Sequence, residues 1–342
     1  MQNGLPRILI IRLSAIGDVV RVLPALNTIR AAYPNAQIDW AVEPKSAGVV
    51  EDHPLLDNVL VFDRDHGSRA FLQFCRQIRA RRYDIAVDFH GILKSGAIIG
   101  ASRAPERYGF ASPRAQEGSW IFTNHRAALR SKNMNRVAEN LTLCDLFCKR
   151  REAYGPAIYV PPDIQEAVDA FYEESFDAGK RVVAMHAPME RPEKRWPAER
   201  FAELAERLLA DGRFEVLMTW GPGQRGDVEA VVSLMRRKPV IPPETGGLKE
   251  LAWLLHRADL YFGGDTGPMH IASIMGVPVV AVFGGTDPAK HAPYQRPCEI
   301  LYVDDPSLSA EEKLRRITAD KAFDACIRMV SGQARRRGDT AS

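Results

Sequence analysis

The sequence predicts an α/β protein built from two doubly wound parallel-sheet domains, and three observations carry that prediction. Apolar strand-like runs alternate with helical patterns along most of the chain, which implies parallel sheets covered by helices. A Pro-rich passage, Tyr154-Gly-Pro-Ala-Ile-Tyr-Val-Pro161-Pro162, divides two similar series of such elements. Near each end of the chain, a strand runs through a short loop into a helix: Ser14-Ala15-Ile16-Gly17-Asp18 in the first series, Gly263-Gly264-Asp265-Thr266-Gly267-Pro268-Met269-His270 in the second. Ligands of doubly wound sheets sit beyond the carboxyl ends of strands. Two such turns therefore suggest two α/β domains facing each other across a ligand.

In the first series the strands fall at residues 8–12, 37–42, 59–62 and 85–88. The run Ile8-Leu9-Ile10-Ile11 is continuously apolar, as a strand buried on both faces should be. Helices are expected at 20–32, 68–81 and 136–148. The second series places strands at 181–186, 215–219, 260–262 and 279–283, with a short one at 240–241. Its helices are expected at 198–210, 227–236, 248–257 and 270–275. The resulting domains are 1–160 and 161–330. A last helical stretch, 309–330, is expected to return toward the first domain, and the polar segment 331–342 to be a disordered tail.

With 342 residues, 46% apolar and 26% charged, the chain has the composition of an ordinary globular protein with room for two cores. No apolar run is long enough to span a bilayer, the N-terminus lacks signal-peptide features, and the five cysteines are scattered. A reduced, cytoplasmic protein is the expectation. Charge is uneven. Residues 1–160 carry 22 Lys and Arg against 15 Asp and Glu, whereas 161–342 carry 24 against 28. The split is either scatter or the mark of a first half that meets an anionic partner. No nucleic-acid motif accompanies it, so nucleic acid is not the expected partner. The one G-x-G-x-x-G, Gly221-Pro-Gly223-Gln-Arg-Gly226, follows the second strand of its series and not the first, which counts against a dinucleotide oxidoreductase. No Walker A motif is present, the one D-x-D is Asp63-Arg64-Asp65, and no metal site is expected.

The turns carry the chemistry. Asp18 opens a helix, either as its N-cap or as a general base. Backbone N–H groups at Thr266 and Gly267, with the Thr266 hydroxyl, form a phosphate site at a helix N-terminus. Asp265 would hold that loop or meet a sugar hydroxyl, and His270 falls in the first turn as a ligand contact, a cap or a core residue. Lys194, in Glu190-Arg-Pro-Glu-Lys-Arg-Trp-Pro197, is either part of a solvated charge run or the cation for a leaving diphosphate. Trp220-Gly221-Pro222-Gly223-Gln224 follows a strand and should border a nucleotide. Arg64, Arg69, Lys94, Arg103 and Arg107 lie in or near loops of the basic half, as solvated charges or as contacts to an anionic acceptor.

Several of these stretches together resemble one family. Ser14-Ala-Ile-Gly17-Asp18-Val-Val-Arg-Val-Leu-Pro24, Lys194-Arg-Trp196-Pro197 and Gly264-Asp265-Thr266-Gly267-Pro-Met-His270 are similar to elements of the bacterial lipopolysaccharide heptosyltransferases. Ile38-Asp-Trp40-Ala-Val-Glu43 and Asp88-Phe-His-Gly91-Ile-Leu-Lys94-Ser95 look like the heptosyltransferase I branch. The similarity runs in the family's order over residues 7–330. It implies a GT-B fold, an ADP-heptose donor with no further cofactor, and the Kdo sugar of the lipopolysaccharide inner core as acceptor. Asp18 would be the catalytic base. Lys194, Gln224, Asp265, Thr266, Gly267 and His270 would bind the donor, and Ser14, Lys94, Ser95 and Arg64 the acceptor. The partner would be anionic Kdo-lipid A, met by peripheral contact with the inner membrane. Two departures stand out: Gln224 replaces the family's common glutamate, and His186-Ala-Pro188-Met189 lacks the hydroxyl residues of some relatives. A related transferase with another nucleotide sugar or acceptor is the main alternative. A non-catalytic nucleotide-sugar-binding protein is the second.

Overall fold

A computed structural model describes residues 5–63, 65, 67–149, 151, 157–189, 191–294 and 297–331. The expected tail beyond Ser331 and the candidate contact Arg64 lie outside the described residues. The chain forms two compact units, Met1–Tyr159 and Val160–Ser342.

The first unit holds a six-stranded sheet: β1 (Arg7–Ile11), β2 (Gln37–Val42), β3 (Asn58–Val61), β4 (Ile85–Asp88), β5 (Glu106–Phe110) and β6 (His125–Ala127). Its order is β3-β2-β1-β4-β5-β6, parallel throughout. Strand order reverses between β1 and β4, so the crevice for a ligand opens beyond Ile11 and Asp88. The helices Gly67–Ala80 and Leu93–Ser102 cover one face, where Phe74, Ile78, Ile98 and Ile99 pack with Leu9, Ile11, Ala41 and Leu60.

The second unit holds a five-stranded sheet: β7 (Arg181–His186), β8 (Phe214–Met218), β9 (Leu260–Gly264), β10 (Val279–Phe283) and β11 (Cys298–Tyr302). The order β11-β10-β9-β7-β8 is again wholly parallel, with its reversal between β7 and β9. The short strand expected at 240–241 is a single bridge from Val240 to Leu217. Trp196 anchors this core. It lies 4.9 Å from Phe201 and 5.3 Å from Phe262 between ring centroids, and its indole N–H donates to the Ile317 carbonyl.

Two expected helices are broken, each for a local reason. The stretch 20–32 becomes Ile16–Val20 and Leu23–Ala32. Pro24 has no N–H to give the Val20 carbonyl and its ring would clash with it. The stretch 309–330 becomes Ala310–Arg316 and Ala319–Ser331, parted at the Ile317 carbonyl that Trp196 occupies. The helix Ala319–Ser331 packs on Ala198–Asp211 and on β9, β10 and β11, within the second unit.

The helix Leu93–Ser102 was hidden in the sequence by two glycines, which disfavour helices. Their use is close packing. A Cβ at Gly96 would stand 2.8 Å from the Phe122 ring, and one at Gly100 2.7 Å from it. Gly100→Ala should therefore destabilise by about 1 kcal/mol, since overpacking outweighs the gain in helix propensity. Thermal unfolding checks this: Tm should fall, and Phe122→Leu in the same chain should restore it. A rise in Tm for the single variant contradicts the packing role.

Candidate functional site

Each sheet presents a charged group at its switch point. In the first unit, β1 delivers Arg12, whose guanidinium is buried. Its Nη1 donates to the Phe89 carbonyl at 3.0 Å, just past β4, and its Nη2 meets Asp18 Oδ2 at 2.5 Å. Arg21 Nη1 holds the other carboxylate oxygen at 2.8 Å. The cap of the helix Ile16–Val20 is Ala15, without a side-chain bond. Asp18 is thus not the helix cap; it stands in the first turn, clamped between two guanidinium groups and still 35% exposed. Burial pulls the Arg12 pKa down and the Asp18 charge opposes it.

The turn after β4 is built on Asp88. Its Oδ1 accepts from the His90 and Gly91 amides, and its Oδ2 from the Ser95 hydroxyl. Burial raises the Asp88 pKa against these bonds. Ser95 is fully buried and also bonds the Ile92 backbone as part of a capping box. The Ser95 hydroxyl, expected to meet the acceptor, is engaged in shaping this turn. Burial, then the charge of Arg12, pulls His90 down to about 3, leaving a neutral imidazole whose Nδ1 has no hydrogen-bond partner among the described residues. Arg114 closes the cluster, donating to the Phe89 and His90 carbonyls and pairing with the buried Glu139, which Arg136 also holds. Lys94 is partly exposed, 3.3 Å from Glu43 and over the Phe62 ring. Ser14 is partly exposed in the loop before Asp18.

In the second unit, β7 ends at His186, whose Nδ1 lies 3.1 Å from the Thr219 hydroxyl and whose pKa burial lowers to about 4. β9 ends at Gly264, where any Cβ would collide with the Met189 methyl. The next residue, Asp265, is buried between Lys194 Nζ at 2.8 Å and His270 Nε2 at 3.6 Å. Burial alone would raise its pKa, but the bonds and charges of His270 and Lys194 outweigh this and hold it well below the usual carboxylate range. Thr266 is the extended cap of the helix Gly267–Ile274, and its side chain makes no capping bond. The hydroxyl lies 3.4 Å from the Gly264 carbonyl. With Pro268 contributing no N–H, the first turn presents its remaining amides and the positive dipole end around Thr266 and Gly267. Lys194, 21% exposed, adds a fixed cation to that anion site. Gln224 behaves differently from a simple ribose contact: its side-chain carbonyl accepts from the Gly221 amide and shapes its own turn.

Arg12, Arg21, His90, Arg114 and Glu139 escaped the sequence reading. Arg12 reads as the last residue of a buried strand, and Arg114 and Glu139 come from separate segments with no shared spacing. A buried-strand pattern ending in arginine was the one available signal.

Comparison with known proteins follows this geometry. The family model described as glycosyltransferase family 9 (heptosyltransferase) matches residues 71–318. A lipopolysaccharide heptosyltransferase 1 of Escherichia coli K12 is 28% identical, over 82% of this chain and 89% of its own. The crystal structure of a glycosyl transferase family 9 protein from Veillonella parvula superposes with a TM-score of 0.87 at 24% identity, covering 97% of this chain and 99% of that one. The Escherichia coli heptosyltransferase WaaC, solved with ADP-2-deoxy-2-fluoro heptose, superposes with a TM-score of 0.70 at 21% identity, over 93% and 98% of the two chains. With two parallel sheets in this common architecture, the chain has the GT-B fold, is a glycosyltransferase, and belongs to glycosyltransferase family 9, the heptosyltransferases.

Proposed function

We propose that this protein moves heptose from ADP-heptose to a Kdo residue of the lipopolysaccharide inner core, with inversion at the anomeric carbon and without a metal ion. The observation that carries the reading is the Asp18 carboxylate, exposed at the switch point of the first sheet and fixed by Arg12 and Arg21. Relatives named lipopolysaccharide heptosyltransferase 1, and a fold neighbour solved with an ADP-heptose analogue, support the donor and the pathway.

In this mechanism the first unit binds the acceptor and the second the donor. A Kdo hydroxyl attacks the anomeric carbon as its proton passes to Asp18. The bond from that carbon to the diphosphate oxygen breaks, and ADP leaves with the electron pair. Arg12 and Arg21 fix the Asp18 carboxylate, so positioning carries much of its effect. Lys194 and the amides at Thr266 and Gly267 receive the charge that develops on the diphosphate. Asp265 and His270 hold Lys194 in place, and Gln224 borders the nucleotide. Lys94, with Ser14 near the base, meets the anionic acceptor, which in its natural form is Kdo-lipid A at the cytoplasmic face of the inner membrane. A second reading, another nucleotide sugar on the same fold, is favoured by Met189 and by the committed carbonyl of Gln224. Turnover across a panel of nucleotide sugars separates the two.

Asp18→Asn should lower kcat by about 10²–10⁴. Because it also leaves the buried Arg12 with a neutral partner, Tm should fall modestly. Steady-state turnover with ADP-heptose and Kdo-lipid A measures the first effect; near-wild-type kcat excludes the base. ADP titrated calorimetrically should bind equally with and without chelator, and Lys194→Ala should weaken it by about tenfold or more, as loss of a charged hydrogen bond does. Unchanged affinity in that variant, or loss of binding with chelator, places the diphosphate elsewhere. Lys94→Ala should raise acceptor KM while leaving ADP affinity intact. If acceptor KM does not move, Lys94 serves only Glu43.

A further inference from the structure

One layer of the first unit has a composition that its internal packing does not explain. It consists of the helix Gly67–Ala80 with the two arginines that follow, the helix Leu93–Ser102 with Arg103, and the short turn Ser119–Phe122, which packs on that second helix. Residues 67–82, 93–103 and 119–122 contain seven Lys and Arg and no Asp or Glu. Arg81 pairs with the buried Asp39, and Lys94 lies 3.3 Å from Glu43. Arg69, Arg76, Arg79, Arg82 and Arg103 are exposed.

The exposed residues are ordered. Arg69, Leu72, Arg76 and Arg79 are spaced by three, four and three residues, which puts them on one stripe of the helix. Phe74 and Ile78 lie on its opposite, buried face. Leu72 is 56% exposed within the arginine stripe, and the same layer exposes Leu93 and Ile121 at 50% and 65%. Large apolar side chains set among cations, on a helix lying flat over a sheet, have the chemistry of a surface that rests on anionic headgroups and dips its apolar residues between them. Among the described residues no helix is long and apolar enough to cross a membrane, so contact of this kind would be peripheral.

We propose that this layer is a docking surface for an anionic lipid bilayer, with the helix Gly67–Ala80 lying parallel to the membrane plane. Charge complementarity selects the occupant: five exposed arginines against one bordering carboxylate, Glu117, which accepts from the Leu93 amide, make a surface that repels a second copy of itself and attracts a continuous sheet of phosphates. The inference deepens the proposed use of a lipid-linked acceptor. Its test involves no sugar transfer, so either reading can fail without the other.

The test is cosedimentation of the full chain with vesicles of phosphatidylcholine alone and of phosphatidylcholine mixed equally with phosphatidylglycerol. Binding is expected to the mixed vesicles only, and to weaken as salt rises. The double variant R76E/R79E should bind about a hundredfold more weakly, since each arginine near the surface contributes roughly a factor of five and reversal adds repulsion. Leu72→Asp should also weaken binding, at unchanged cation count. R236E/R237E, which changes net charge equally on the second unit, should bind as the parent does. All these side chains are exposed, and unchanged circular dichroism and Tm establish that the variants are folded. Turnover on a delipidated, soluble Kdo acceptor should be unaffected by R76E/R79E. Equal binding to neutral vesicles, no binding to either, or equal losses in the two double variants would overturn the proposal.

Discussion

A buried guanidinium governs the first unit. Arg12 leaves the end of β1 with almost no contact to water, so its charge and its N–H groups must be answered by protein. The Phe89 carbonyl answers one side and the Asp18 carboxylate the other. β1 and β4 are neighbours in register, with Ile11 opposite Asp88, so the same side chain ties the switch point of the sheet to the turn that carries His90. Phe89 also accepts from Arg114, which passes the constraint to Glu139 and Arg136. Asp18 is therefore preorganised by tertiary structure, its carboxylate fixed by Arg12 and Arg21.

The second unit inverts this arrangement. There the buried group is a carboxylate, Asp265, and the groups around it are Lys194 and His270. Burying the anion would be costly alone, and the two partners offset that cost. The outcome is a lysine held rigidly beside a helix N-terminus. A buried cation presents a carboxylate in one unit, and a buried carboxylate presents a cation in the other. The first suits removal of a proton from an acceptor hydroxyl, and the second suits charge developing on a leaving diphosphate.

What the sequence reveals divides along the distance between partners. Central strands such as Ile8-Leu9-Ile10-Ile11 read plainly because both faces are buried. β5, β6 and β11 did not, since Glu106-Arg107, His125-Arg126 and Glu299 interrupt any apolar run in them. Leu93–Ser102 was hidden because its glycines serve the Phe122 ring, a partner over twenty residues away. The same division holds at the sites. Asp18, Lys194, Asp265 and Thr266 sit in compact motifs whose local chemistry is visible. Arg12, Arg114 and Glu139 form one network only after three segments meet. Ser95 shows the converse: it sits inside a suggestive motif, and its hydroxyl completes the Asp88 turn. Asp18 as a cap was a reasonable reading of an acid opening a helix, and the real cap, Ala15, offers no side chain to predict it.

The charge asymmetry of the chain also becomes specific once partners are assigned. Many cations of the first half are internal fittings. Arg30 is bonded to the Leu55 and Ala36 carbonyls and to Asp57, and Arg107 to the Phe122 and Ala104 carbonyls. Arg12, Arg21, Arg81, Arg114 and Arg136 each hold a carboxylate. Such residues add to the net charge of the sequence but contribute little field at the surface, because their partners cancel it at short range. The field that a distant anion meets comes from the remainder, among them Arg69, Arg76, Arg79, Arg82 and Arg103 on the helical layer and Lys45, Arg130, Lys132 and Lys149 elsewhere on the exposed surface. A count of charges along the chain therefore gives the correct sign for the first unit, but the direction from which an anionic partner would approach it is set by which arginines the fold has already used.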